Sequence, residues 1–196
     1  MNQRHNDQYY IDKIIEGDTN AFSVVVERYK HMVYTLALRL VKNKEEAEEV
    51  AQDTFIKVYG NLEKFKGDSK FSSWIYRIAY NRSLDVLKKQ KNRVDTTPID
   101  VGTEYYIPSI SSVLDDLERK DRMVILKSAI QELNGDDSVL ITLHYFEELS
   151  LGEISEIMEK ETNVLKVRLF RARKKLAEIL RTKLTPETVE KYEQRR

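Results

Sequence analysis

The chain has 196 residues, room for one large or two small domains; 41% are hydrophobic, 34% are charged, and the formal net charge is zero. There is no cysteine, which excludes disulfides and thiolate metal sites, and the scattered His5, His31 and His144 lack metal-ligand spacing, so no metal or other cofactor is expected. Zero net charge argues against indiscriminate coating of nucleic acid. The start MNQRHNDQYY has no signal-peptide core and no apolar run spans a bilayer, so a cytoplasmic protein without membrane insertion is expected.

In chain order, residues 7–17 predict a short helix with Tyr10, Ile11, Ile14 and Ile15 on one side. Asp18 or Thr19 suits the cap of the next helix, whose apolar positions Phe22, Val25, Val26, Tyr29, Val33, Leu36, Ala37 and Leu40 recur at three and four; Asn43 is expected to end it. A third helix over residues 45–59 turns Ala47, Val50, Ala51, Phe55, Val58 and Tyr59 inward and leaves an acidic face of Glu45, Glu46, Glu48, Glu49 and Asp53. After the polar connection KFKGDSK, a fourth helix over residues 71–91 has Trp74, Ile75, Ile78, Ala79 and Leu87 as its buried stripe. Residues 94–112, with Pro98, Gly102 and Pro108, break the periodicity and read as an interdomain linker. Helical pattern resumes over residues 113–133; Asn134-Gly135 makes a turn before a further helix, and two more helices follow in residues 150–176. The tail after Pro186 is polar. The fold class is all-α: two small helical domains on a flexible linker, the C-terminal one a helix-turn-helix.

Charge is strongly patterned along this frame. Residues 64–93 and 163–184 are basic, and residues 94–118 between them are acidic. Two basic blocks around an acidic spacer suit two nucleic-acid contacts on separate bodies, although solvated helix faces give the same pattern. In residues 150–176 a short helix with Leu149, Ile154, Ile157 and Met158 inward precedes one crowded with Lys166, Arg168, Arg171, Arg173 and Lys174, starting near the N-cap residue Asn163. That is the outline of a DNA-reading helix-turn-helix, and equally of an ordinary helical hairpin. In residues 64–82, Phe65, Phe71, Trp74, Tyr76 and Tyr80 interleave with Lys66, Lys70, Arg77 and Arg82, a composition for stacking and holding single-stranded nucleic acid. Trp74 and Ile78 also fit a core; Phe71, Tyr80 and Asn81 fit one less readily. The acidic helix repels DNA and suits a protein partner, or solvent. No carboxylate pair, nucleophile–base set or phosphate loop supports an enzyme or a small-molecule substrate.

Three segments in this order resemble the extracytoplasmic-function group of bacterial sigma factors: EEAEEVAQDTFIKVY, KFKGDSKFSSWIYRIAYN, and LSLGEISEIM with VRLFRARKKL. The resemblance implies a region 2 domain over residues 8–93, an acidic linker over 94–118 threading near the RNA exit channel, a region 4 domain over 119–184 and a tail over 185–196. It implies core RNA polymerase and promoter DNA as partners and, as for many members, an anti-sigma factor, often membrane-bound. Glu48, Glu49, Gln52 and Asp53 match the surface docking on the polymerase clamp. Lys66, Ser69, Lys70, Phe71, Trp74, Arg77, Tyr80 and Asn81 match the segment holding flipped bases of the minus-ten element. Asn163, Lys166, Val167, Arg168, Phe170, Arg171, Arg173 and Lys174 match the recognition helix at the minus-thirty-five element. The sequence departs from the family pattern at Glu148 and Glu159, usually Gly, at Asn134-Gly135, usually Pro-Pro or Pro-Glu, and at Val167, often small and polar and here suited to a thymine methyl. The alternative from the residues alone is a stand-alone helix-turn-helix transcriptional regulator, which leaves the acidic helix and the aromatic-basic block without a role.

Overall fold

The computed structural model describes the backbone of residues 3–91 and 119–183 and the side chains of residues 7–90 and 123–183. The expected linker over 94–118 and the tail over 185–196 lie outside the described residues, as do residues 113–118 of the expected helix. Among the described residues the chain is all-α. In the N-terminal domain, α1 (Gln3–Ile15), α2 (Thr19–Val41) and α3 (Lys44–Gly60) lead through a 3-10 turn (Leu62–Lys64) to α4 (Phe71–Lys91). In the C-terminal domain, α5 (Arg119–Glu132) and α6 (Gly135–Tyr145) precede the helix-turn-helix α7 (Leu151–Met158) and α8 (Thr162–Lys183).

Short polar residues stop and start these helices. The Asp18 carboxylate accepts from the backbone N–H groups of Asn20 and Ala21 at the head of α2. α2 ends at Val41, with Lys42 in the left-handed region at φ 60; Asn43, expected as its last residue, instead caps α3 by accepting from the Glu46 N–H. The reason is that Asn43 has extended backbone, which leaves its side chain free to turn onto the following helix. Ser150 and Glu153 form a reciprocal capping box on α7.

The N-terminal core is built from Val25, Tyr29, Val33 and Leu36 of α2, Val58 of α3, and Phe71, Ile75 and Ala79 of α4, all buried. Ile130, Leu140, Leu143, Ile154, Ile157, Leu165 and Leu180 are nearly solvent-free in the C-terminal half. Each such aliphatic side chain contributes about 1.5–3 kcal/mol on leaving water, opposed by chain entropy. Tyr59 departs from the inward position expected: it is 47% exposed, its ring edge-on to Phe22 at 4.9 Å. It lies one position past Val58, which already fills the inward register.

The two domains pack on one another, α2 against α6 and α4 against α7. Gly135 marks the tightest approach. A Cβ built there would meet the Arg39 carbonyl oxygen and the Leu40 Cα at 3.3 Å, so the backbones come together where the chain has no side chain. Arg39 is buried in this seam, its guanidinium donating to the Ser138 Oγ at 3.0 Å; burial pulls its pKa down to about 10.

Candidate nucleic-acid interface

The connection from the 3-10 turn to α4 doubles back at Gly67, whose φ of 78 is ordinary for glycine and costly for other residues. Beside it a cleft of about 460 Å³ is lined by Tyr29, Phe65, Ser69, Phe71 and Tyr76, with Glu147 of the C-terminal domain at its rim. The residues expected to hold unpaired bases divide here. Lys66, Ser69, Lys70, Arg77 and Asn81 keep some or most of their surface in solvent, whereas Phe71 and Tyr80 are 4% and 1% exposed. Both rings, read from sequence as poorly explained by a core, are core. Phe71 stacks on Trp74 at 5.8 Å and meets Tyr29 edge-on at 6.0 Å; the Tyr80 hydroxyl donates to the Asp136 carboxylate at 3.0 Å. Burial, reinforced by Asp136, drives the Tyr80 hydroxyl far above the usual tyrosine range. Trp74 is half-buried and packs on Phe65 at 5.4 Å.

On α8, Asn163, Lys166, Val167, Phe170, Arg171 and Arg173 are exposed, and Lys174 is half-buried. Arg168 faces the other way. Its guanidinium donates to Asp137 at 2.7 Å and Asp136 at 2.8 Å, at the head of α6. Asp137 is buried, so this pair holds the recognition helix on its own domain. Val164, not among the residues expected from sequence, is 52% exposed; with Val167 and Phe170 it makes an apolar strip at intervals of three, flanked by cations. The signal in the sequence is their spacing of three, out of step with the inward Leu165, Leu169 and Leu176 of the same helix. Such a strip meets thymine methyls while arginines reach base edges and phosphates.

On α3, Glu48, Glu49 and Gln52 are exposed. Asp53 is not free: it forms an ion pair with Arg82 of α4, whose second bond goes to Asp85. The carboxylate of Asp53 raises the Arg82 pKa against the lowering effect of burial.

The helix-turn-helix turn and the approach to it carry two non-glycine residues in left-handed backbone, Glu159 and Glu148, both at φ 53. These are the two positions where the sequence departs from a usual Gly, so the backbone geometry persists without the residue that adopts it most cheaply.

The comparisons agree with this architecture. A profile described as Sigma-70 region 2 matches residues 25–93, and one described as Sigma-70, region 4 matches residues 123–176. The ECF RNA polymerase sigma factor SigW of Bacillus subtilis (strain 168) is 35% identical over 177 residues, covering 87% of this chain and 95% of that protein. The chain belongs to the extracytoplasmic-function group of the sigma-70 family. It is an RNA polymerase sigma factor, a transcription initiation factor whose domains are regions 2 and 4. The ECF RNA polymerase sigma-E factor of Escherichia coli (strain K12) is 32% identical over 179 residues, covering 88% of this chain and 93% of that protein. The sigma factor RpoE of Bartonella quintana, solved with the anti-sigma factor NepR, shares the fold at a TM-score of 0.60 and 22% identity, covering 82% of this chain and 96% of that one. Among the described residues, no helix of this sigma factor is long and apolar enough to cross a membrane.

Proposed function

We propose that this sigma factor, acting in the cytoplasm and catalysing no bond chemistry itself, grips a promoter at two points while docked on core RNA polymerase. The exposed carboxylates of Glu48 and Glu49, with Gln52, face the polymerase, and Asp53 acts through Arg82 to fix α3 against α4. Lys66, Ser69, Lys70, Arg77 and Asn81 bind the opened minus-ten strand around the cleft beside Gly67. Phe71, Trp74 and Tyr80 support that surface from beneath. Asn163, Lys166, Val167, Phe170, Arg171, Arg173 and Lys174 face the minus-thirty-five duplex, and Arg168 holds α8 in place. Residues 8–93 and 119–184 are the two working domains, joined by the acidic segment 94–118. An anti-sigma factor is a further partner in this reading, by analogy with the complex of RpoE and NepR.

The observation behind the reading is the separation of sign and shape on the surface. α3 presents an acidic face unsuited to DNA, α4 a basic one beside a cleft, and α8 a strip of cations around Val164, Val167 and Phe170. A stand-alone regulator needs only the last. The test is transcription by purified protein with core polymerase from a promoter upstream of its own gene. Run-off product that depends on this chain is expected; specific duplex binding without polymerase and no product with it would overturn the reading.

A further inference from the structure

The contacts between the two domains have one polarity. Region 2 supplies the donors and region 4 the acceptors: beside Arg39 on Ser138 and Lys42 on the Gln131 and Leu133 carbonyls, Lys70, Tyr76, Arg77, Tyr80 and Asn81 meet Asp136, Glu147, Glu153 and Glu159. Lys70 meets Glu153 at 2.7 Å, and the Tyr76 hydroxyl donates to Glu147 at 2.7 Å. At the solvent-exposed edge of the seam, Arg77 donates to Glu159 Oε1 at 2.9 and 3.2 Å, and Asn81 Nδ2 donates to the same oxygen at 3.4 Å. Two neighbouring donors converging on one anionic oxygen is the arrangement used to hold a phosphate oxygen of nucleic acid. Glu159 delivers that oxygen from a left-handed turn, a backbone in which glutamate is uncommon. Gly135, opposite Arg39 and Leu40, lets the helices close to the distance this contact needs.

We propose that Glu159 is an internal surrogate for a DNA phosphate, closing region 4 over the strand-binding face of region 2 until polymerase and promoter displace it. This rests on the assignment of Arg77 and Asn81 to DNA made above. Closure occludes α4 at the moment it would otherwise bind single strands without polymerase. Opening exchanges a carboxylate for a phosphate on the same two donors.

The chain has no cysteine, so spin labels can be placed at Glu63→Cys and Glu156→Cys, both exposed and on opposite domains. Double electron–electron resonance on the full chain reads the interdomain distance, and a fluorescent single-stranded oligonucleotide reads binding. The expected result is one narrow short distance in the parent. In Glu159→Gly, which keeps the turn, and in the charge-neutral wedge Gly135→Leu, the distance should broaden and lengthen and single-strand affinity should rise at least threefold. Unchanged distances in both variants overturn the proposal, as does an affinity gain confined to Glu159→Gly with distances unmoved, which is loss of negative charge alone. Lengthened distances in both variants with unchanged affinity leave the closed form standing but overturn the surrogate role, because Arg77 and Asn81 then do not hold DNA.

Discussion

Arg168 and Asp137 lie 31 residues apart in sequence and 2.7 Å apart in space, the guanidinium Nε against a nearly buried carboxylate oxygen. This pair separates an arginine of the recognition helix that builds the domain from its neighbours that face outward. Arg168→Ala leaves the Asp137 charge without its main partner and should destabilise region 4 by about 1–3 kcal/mol. Arg171→Ala, at an exposed position, should leave the melting temperature within a degree or so and reduce the salt slope of duplex binding by about one. Calorimetry and binding titrations at several salt concentrations check both; equal destabilisation by the two substitutions contradicts the division of roles.

A similar contrast tests the proposed docking role of α3. Glu49→Arg inverts an exposed charge and should slow association with core polymerase, leaving helix content by circular dichroism unchanged. Asp53→Arg instead sets two arginines against each other across α3 and α4, so its loss of binding arrives with loss of stability. Asp53→Asn, which removes only a partly exposed ion pair, should cost at most about 1 kcal/mol. If Glu49→Arg binds core polymerase at the parent rate, α3 does not supply the docking face.

The interdomain carboxylates make closure depend on pH in two directions. Burial raises the Glu147 pKa, only partly offset by the Tyr76 hydrogen bond, so closing takes up a proton there, and its contribution grows as pH falls through the raised value. Glu159 is held low by the hydrogen bond from Arg77, then by Asn81; Glu153 is pushed up by burial but held low by Lys70 and Ser150. Their contributions are complete above the ordinary carboxylate range and disappear as pH falls through the depressed values. The closed fraction should therefore rise between neutral pH and the ordinary carboxylate range, then fall below it. Label distances recorded across that interval read the maximum, and a monotonic curve is the contrary result.

Glu148 offers a gain in stability. Its φ of 53 costs roughly 1 kcal/mol relative to glycine, and its side chain is exposed. Glu148→Gly should raise the midpoint of thermal unfolding by a few degrees, less whatever glycine gains in freedom in the unfolded chain. No rise at all means the neighbouring backbone, not this residue, sets the strain.

Helix positions and faces were legible because the period of apolar residues is local: Val25 to Val33 and Ile154 to Met158 announce their own burial. The left-handed turns were marked as well, by the departures at Glu148 and Glu159, though not as turns that persist. Phe71 and Tyr80 are buried, and Arg168 is paired within its own domain, for reasons that are not local in the sequence. α4 is packed on more than one side, by its own domain and by region 4, so it has no single apolar stripe. The partners of Tyr80 and Arg168 lie at Asp136 and Asp137, far along the chain. In sequence Asp53 is one more carboxylate of an acidic face; in space Arg82, on the next helix, claims it.

Trp74 is the single tryptophan of the chain, wedged against Phe65 and Phe71 where both rings line the cleft beside Gly67. Its emission is therefore a native optical gauge of that cleft. Entry of a nucleobase, or withdrawal of the opposite domain, changes the polarity around one identifiable indole, so binding of a single strand by the polymerase-free protein can be followed without a label.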